Sequence, residues 1–170
     1  MLYIKTFQTQ LGDMIALADH YKLHLFQFAD YKKLQAQIDS IKKDVGNEIK
    51  KGTCAPLQLL EIELAAYFTG TLKQFTVPLK MHGTLFQKDI WNELLNIPYG
   101  KTLTYKIMAE KVNKPYAPRA VGTAHGANKI TLIIPCHRVI STNGSFRGYA
   151  NGPERKQWLL DFEQKNTECF

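Results

Sequence analysis

Along the first thirty residues, apolar and polar positions alternate. LYIKTFQT and MIALADHYKLHLFQF carry β-branched and aromatic residues at a period of two. That pattern predicts two or three antiparallel strands, with Leu11-Gly12-Asp13 as the first turn. From Tyr31 to Lys51 the period weakens and lysines accumulate, which predicts a short helix in LQAQIDSIKKDV followed by a mobile loop. PLQLLEIELAAYFTG then shows helical spacing. Pro56 suits a first turn, Leu57, Leu60, Leu64 and Tyr67 or Phe68 form one apolar face, and Gly70 ends it. FTVPL reads as a short strand whose proline favours an edge.

Beyond about Gly83 the pattern turns to short helices. LFQKDIWNELLNI places Phe86, Ile90 and Leu94 on one stripe, and Pro98-Tyr99-Gly100 makes a turn. Thr104 to Val112 is a short helix. A loop with Asn113, Pro115 and Pro118 leads to a second helix, Arg119 to Asn128. Two such helices joined by a tight loop have the form of a helix-turn-helix. Helix propensity alone does not choose Gly122 and Gly126. With Ala120 and Ala124 they let the second helix approach another surface closely. Ile130 to Ile134 reads as a strand, and QWLLDFEQ as a final helix with Trp158, Leu159 and Phe162 turned inward. The whole is an α+β fold in two domains, a β-rich one over 1–82 and a mostly helical one over 83–170.

Composition narrows the class. The chain has 170 residues, 45% hydrophobic and 22% charged, enough for a sizeable core. No apolar run approaches the ~20 residues of a membrane span, and MLYIKTFQTQ lacks the pattern of a signal peptide. Cys54, Cys136 and Cys169 are few and widely spaced, which suits a reducing, intracellular setting and gives no zinc ligand pair. The net charge of +7 is bunched. Lys101, Lys106, Lys111, Lys114, Arg119, Lys129, Arg138 and Arg147 face only Glu110 in that segment, so it carries the entire excess. A polyanionic partner is implied.

Within the basic segment lies IIPCHRVI. A thiol, an imidazole and a guanidinium inside an apolar run each cost free energy to bury without a partner. Cys136 becomes a nucleophile only as a thiolate, so a base must take its proton or a charge must lower its pKa. His137 is adjacent, yet neighbouring side chains on an extended segment point to opposite faces. A bridging water serves as well as contact, and a third group must fix the imidazole tautomer. Glu154, Asp161 and Glu163 are the acids nearest downstream.

PCHRVI, with GTLFQKDIWNELLNIPYGKTLTY before it and GYANGPERKQWLLDFE after it, resembles the O6-alkylguanine-DNA alkyltransferases, or methylated-DNA–protein-cysteine methyltransferases. The match is strong from about Gly83 to Glu163 and weaker before. The resemblance implies a ribonuclease-H-like first domain and a winged-helix-like second one with a helix-turn-helix. It implies that Cys136 accepts the alkyl group irreversibly from O6-alkylguanine, with O4-alkylthymine a further substrate. His137 would deprotonate it through a water, Glu163 would hold and polarise His137, and Asn128 would brace the turn. Tyr105 would help rotate the nucleotide and donate to the guanine. Arg119 would fill the stack in place of the everted base, on a helix whose Ala120, Gly122 and Thr123 meet the minor groove. Val139 and Cys136 carbonyls would accept from the guanine amine. Tyr149, Ala150, Asn151 and Lys156 would complete the base pocket. No cofactor and no metal are implied, and the partner is lesion-bearing DNA met by a monomer in the cytoplasm, or in the nucleus of a eukaryote.

The chain departs from the family pattern twice. Lys129 stands where proline is common, and Asn151 where glycine is frequent. His20, His24, Cys54 and His82 lack the spacing of the zinc site that some members carry, and read as ordinary surface or core residues. Trp91 and Trp158 read as core, and Cys54 and Cys169 as structural. His125 is either near phosphate or simply exposed. The alternative functions are a lesion-binding protein without chemistry, for which Cys136, His137 and Glu163 are superfluous, and a Cys-His hydrolase, which leaves the basic helices unexplained.

Overall fold

The alternating N-terminal segment folds as three antiparallel strands. In a computed structural model, described for residues 1–145 and 148–168, these are β1 (Leu2–Thr9), β2 (Gly12–Ala18) and β3 (Leu23–Phe28). The chain forms two compact units, residues 1–82 with 129–131, and 83–128 with 132–170. Arg147 and Cys169 lie outside the described residues.

In the first unit the turn falls at Gln10–Leu11, one residue before the expected place, because Gly12 with φ +120° already begins β2. The segment expected as a loop before Lys51 instead forms β4 (Ile49–Lys51), parallel to β1, giving the sheet order β3-β2-β1-β4. Three residues of a lysine-rich strand leave no periodicity to detect, and only the partner strand defines them. Helix α1 (Leu34–Val45) puts Ile38 and Ile41 against Leu2, Leu17 and Leu25. Helix α2 (Ala55–Phe68) buries Leu57, Leu60, Leu64 and Tyr67, the expected face.

FTVPL is not a strand. Glu63, buried on α2, accepts hydrogen bonds from the Thr76 and Val77 amides and from the Thr76 hydroxyl, so a side chain replaces the ladder. Leu79 only bridges to Leu23, through Leu23 N to Pro78 O and Lys80 N to Leu23 O. Glu63→Leu is expected to lower unfolding stability by about 3 kcal/mol, since it orphans several buried donors. A urea titration followed by circular dichroism measures this.

His24 and His82, 58 positions apart, meet at 2.8 Å, and each bonds an aspartate, Asp19 and Asp44 respectively. Among the described residues no cluster of three or more side chains could hold a metal ion.

In the second unit, a capping box of Thr84 and Gln87 starts α3 (Leu85–Leu95), which buries Ile90, Trp91 and Leu94. The Trp91 indole donates to the Ala124 carbonyl at 2.9 Å. Two residues each of β5 (Leu103–Thr104) and β6 (Val139–Ile140) pair in parallel. Helices α4 (Tyr105–Lys111) and α5 (Pro118–Gly126) pack together, but the six residues between them make a longer connection than the expected tight turn. The final helix, α6 (Pro153–Glu168), corrects the expected inward face. Leu159 is buried, whereas Trp158 and Phe162 are half-buried and stack on each other at 4.8 Å. Lys156 and Glu163 turn inward instead, two charges that a reading by hydrophobicity assigns to solvent.

Candidate active site

The strand expected over Ile130–Ile134 does not form. Ile130 makes a single bridge to Phe26, Leu132 adopts φ +75°, and Cys136–Arg138 close a 3-10 turn after Pro135. A left-handed leucine is a sparsely populated conformation that the surrounding contacts must hold. Asn128 supplies one such contact. Its Nδ2 donates to the Ile134 carbonyl at 3.0 Å and lies 3.4 Å from Cys136 Sγ. Successive side chains on a 3-10 turn diverge by about 120°. Cys136 and His137 therefore face different neighbours, for a reason other than the extended chain expected.

His137 turns to α6. Its Nε2 lies 2.8 Å from Glu163 Oε1, and both groups are buried. A carboxylate only accepts, so Nε2 carries the proton and Nδ1 the lone pair. That Nδ1 is buried without a hydrogen bond among the described residues. Burial pushes the imidazole pKa down from 6.5, against the pull of Glu163, so the ring is neutral at pH 7. Burial by itself raises the Glu163 carboxyl, but His137 and then Arg138 outweigh it and hold the group well below the usual carboxylate range.

Arg138 is the member that sequence reasoning missed. Its Nε donates to Glu163 Oε2 at 2.9 Å, one terminal nitrogen to Oε1 at 3.0 Å, and the other to the Ile97 carbonyl at 2.7 Å. The guanidinium was counted above as charge for a polyanion; it is buried and spoken for. A usable signal existed, since a buried carboxylate that serves a neutral histidine requires a cation elsewhere. Lys129 likewise donates to the His82 carbonyl at 2.8 Å. Among the described residues, the exposed cations of the segment are Lys101, Lys106, Lys111, Lys114 and Arg119.

Around the sulfur lies a ring of buried polar groups. Burial raises the Cys136 thiol above its usual 9.0, while Asn128 and the Lys156 charge work against this. Lys156, fully buried, donates to the Val139 carbonyl at 2.5 Å, and its ammonium sits 5.9 Å from the Tyr105 ring and 5.7 Å from the Tyr149 ring. Burial pushes the Tyr105 hydroxyl to about 12 and that of Tyr149 well above 10.0. Val139 is buried, Asn151 half-buried and Ala150 exposed. Arg119, Ala120 and Thr123 are exposed on α5 and Gly122 is half-exposed. A Cβ added at Gly122 or Gly126 would meet nothing within 4 Å. The molecule's own packing therefore does not demand glycine there.

His125 is neither of the things expected, being 4% exposed. Its ring meets that of Tyr105 edge-on at 5.2 Å, and burial lowers its pKa to about 3, helped by the Lys156 charge. The unfolded chain takes up a proton below pH 6.5 that the folded one refuses until about pH 3. Its contribution to stability is therefore complete above pH 6.5 and is lost on acidification, at about 1.4 kcal/mol per pH unit once the unfolded form is fully protonated. His125→Leu is expected to flatten the fall in urea-unfolding free energy between pH 7 and pH 5.

Two surface clefts, of about 830 and 520 Å³, run along β1 and contain none of these groups. Comparison with known proteins points instead to the second unit. Residues 85–165 match the family described as 6-O-methylguanine DNA methyltransferase, DNA binding domain. Over 162 residues the chain is 40% identical to the methylated-DNA–protein-cysteine methyltransferase of Methanosarcina acetivorans, covering 95% of this chain and 98% of that protein. The chain belongs to the methylated-DNA–protein-cysteine methyltransferase family. The inducible methyltransferase of Bacillus subtilis is 49% identical over 109 residues, 64% of this chain and 61% of that longer protein. Among solved structures, the Mycobacterium tuberculosis O6-methylguanine methyltransferase superposes with a TM-score of 0.84 at 32% identity, covering 98% of this chain and 94% of that one. M. tuberculosis OGT in complex with DNA gives the same TM-score and identity, covering 96% of this chain. The α+β architecture expected from the sequence is that of these methyltransferases.

Proposed function

We propose that this methyltransferase repairs DNA by a single transfer of an alkyl group from O6-alkylguanine to Cys136. The observation that carries the reading is the neutral His137, fixed by Glu163 with its lone pair on Nδ1, beside a buried thiol. In the proposed sequence a water passes the Cys136 proton to Nδ1. The sulfur then attacks the alkyl carbon as its bond to the guanine oxygen breaks, and the electron pair returns to the base. The base takes up one proton, which balances the one on His137. The nearby Lys156 ammonium favours the thiolate, and the Tyr105 hydroxyl, protonated at all working pH, is a donor for charge growing on the base. The thioether has no leaving group that these residues can activate, so the chain acts once. A lesion-binding role alone leaves the His137–Glu163–Arg138 arrangement without use.

A base within a duplex cannot reach a thiol so enclosed, so the lesion must be everted, at a cost of a few kcal/mol. Arg119 on exposed α5 takes its place in the stack, and open Gly122 lets the helix seat in the minor groove. The five exposed cations hold phosphate without regard to sequence. Entry of the base displaces Lys156 from the Val139 carbonyl, freeing it for the guanine amine, with Tyr149, Ala150 and Asn151 lining the slot. The protein acts as a monomer in a reducing compartment, in keeping with free thiols at Cys54 and Cys136.

Incubation with an excess of oligonucleotide carrying O6-methylguanine tests the reading. Intact mass spectrometry should show one methyl per chain, on the peptide containing Cys136, and a second equivalent turned over would refute it. Arg119→Ala is expected to slow transfer from duplex by about tenfold to a hundredfold, the share of eversion it supports. Transfer from a free O6-benzylguanine base should change little. Gly122→Leu should weaken duplex binding in a band-shift assay without lowering the melting temperature.

A further inference from the structure

Away from the active site, the first unit holds a chain of four titratable side chains. Asp19 follows β2, His24 lies on β3, Asp44 is near the end of α1, and His82 ends the segment 1–82. His24 Nε2 lies 2.9 Å from Asp19 Oδ2, and His82 Nδ1 lies 2.8 Å from Asp44 Oδ2. The two inner nitrogens, His24 Nδ1 and His82 Nε2, meet at 2.8 Å. The ring centroids are 5.0 Å apart, so the imidazoles meet end to end. Stacked rings would bring their centroids nearly as close as their atoms. Both rings are buried.

Counting protons fixes the charge. A carboxylate only accepts, so each outer nitrogen carries a proton. Two neutral rings would then oppose two lone pairs, and two cationic rings would oppose two N–H groups. Neither makes a hydrogen bond across 2.8 Å, whereas one proton between the inner nitrogens does. We infer that His24 and His82 share a single positive charge and act as a pH-gated staple, closed only while the pair holds three protons. Closed, it ties His82 to β3, to the turn before β3 and to α1. It adds to the backbone bonds from Leu23 N to Pro78 O and from Lys80 N to Leu23 O.

The groups facing the pair support the count. Burial by itself raises the Asp19 carboxyl, but the Tyr21 amide, His24 and the Lys22 amide hold it below its usual value. Burial, with the Asp19 charge, raises the Cys54 thiol, so no second anion forms there. Burial lowers His82 below 6.5, opposed by Asp44 and helped by the His24 and Lys129 charges, so a fourth proton is refused. That refusal contributes stability above pH 6.5, lost as the pH falls. The shared proton contributes stability below pH 6.5, lost as the pH rises past its release. The two protons belong to the pair rather than to either ring. The staple is therefore strongest near pH 6.5.

Nitrogen-15 spectra of the parent's imidazoles, recorded from about pH 4 to about pH 9, test the inference. Near pH 6.5 the outer nitrogens should show protonated shifts and the inner two intermediate ones. The inner pair should move together, in one step on each side of that pH. Two neutral rings at pH 6.5, or two independent titrations, would overturn the inference. Urea unfolding of parent and His82→Phe gives a second reading. The parent's unfolding constant should be favoured by at least about tenfold more near pH 6.5 than two pH units to either side. An advantage that is flat, or that changes in one direction only, would equally overturn it.

Discussion

Cys136→Ala is expected to abolish alkyl transfer while leaving duplex binding within a few fold of the parent. Among the described residues no second thiol can substitute. Cys54 is buried at the start of α2 in the other unit, and burial raises its thiol above 9.0. The cations that the proposal assigns to DNA are exposed whereas Sγ is buried, so the loss should confine itself to chemistry. Folding should survive as well. Asn128 keeps its bond to the Ile134 carbonyl when the sulfur goes, and that is the bond bracing the turn. Intact mass after incubation with lesion-bearing oligonucleotide, beside a band-shift titration, gives both readings. Transfer retained by the alanine variant would remove Cys136 from the mechanism.

The second large effect is expected from Glu163→Gln. The neutral amide stabilises an imidazolium far less than a carboxylate does, and it leaves the buried Arg138 guanidinium without its counter-charge. Loss of the base should slow transfer by about a hundredfold to ten-thousandfold. Breaking a buried ion pair from one side should cost about 3–5 kcal/mol of stability. These two effects are separable. Adding Arg138→Met to the Gln variant removes the stranded charge, so stability should largely return while the rate does not. Rate restored along with stability would make the carboxylate a structural group only.

The pH profile follows from the same groups. Glu163 stays ionised far into acid, so its contribution to stability is present above its ordinary pKa of 4.5 and is lost only as the pH falls below it. His137, held below 6.5, loses its proton-accepting lone pair only on the acid side of that value. Cys136 ionises unaided only above 9.0. The single-turnover rate is therefore expected to be level between these limits, to fall below pH 6.5 and to rise above pH 9.0. Stopped-time quench measurements across that range, with stability followed in parallel, check the sign of each limb.

What the amino-acid order settled by itself is whatever depends on near neighbours. Helical spacing over Pro56–Tyr67 and Leu85–Leu94, alternation in β1 to β3, and the bunching of lysines all arise within a few positions. The odd chemistry of PCHRV was visible on the same terms, whereas the choice of Glu163 over Glu154 and Asp161 came only from the family resemblance. Tertiary structure decided the rest. Whether 49–51 is a strand depends on β1, forty-seven residues earlier in register. Whether Arg138 serves solvent or Glu163 depends on α6, twenty-five positions on. Cys136 sits on a 3-10 turn rather than a strand because Asn128 takes up the Ile134 carbonyl. His125 meets the Tyr105 ring rather than solvent because α5 turns that face inward. A charge or an imidazole is polar in any sequence, but only the low-dielectric surroundings and the partner brought from a distance determine whether it is buried, neutral and useful.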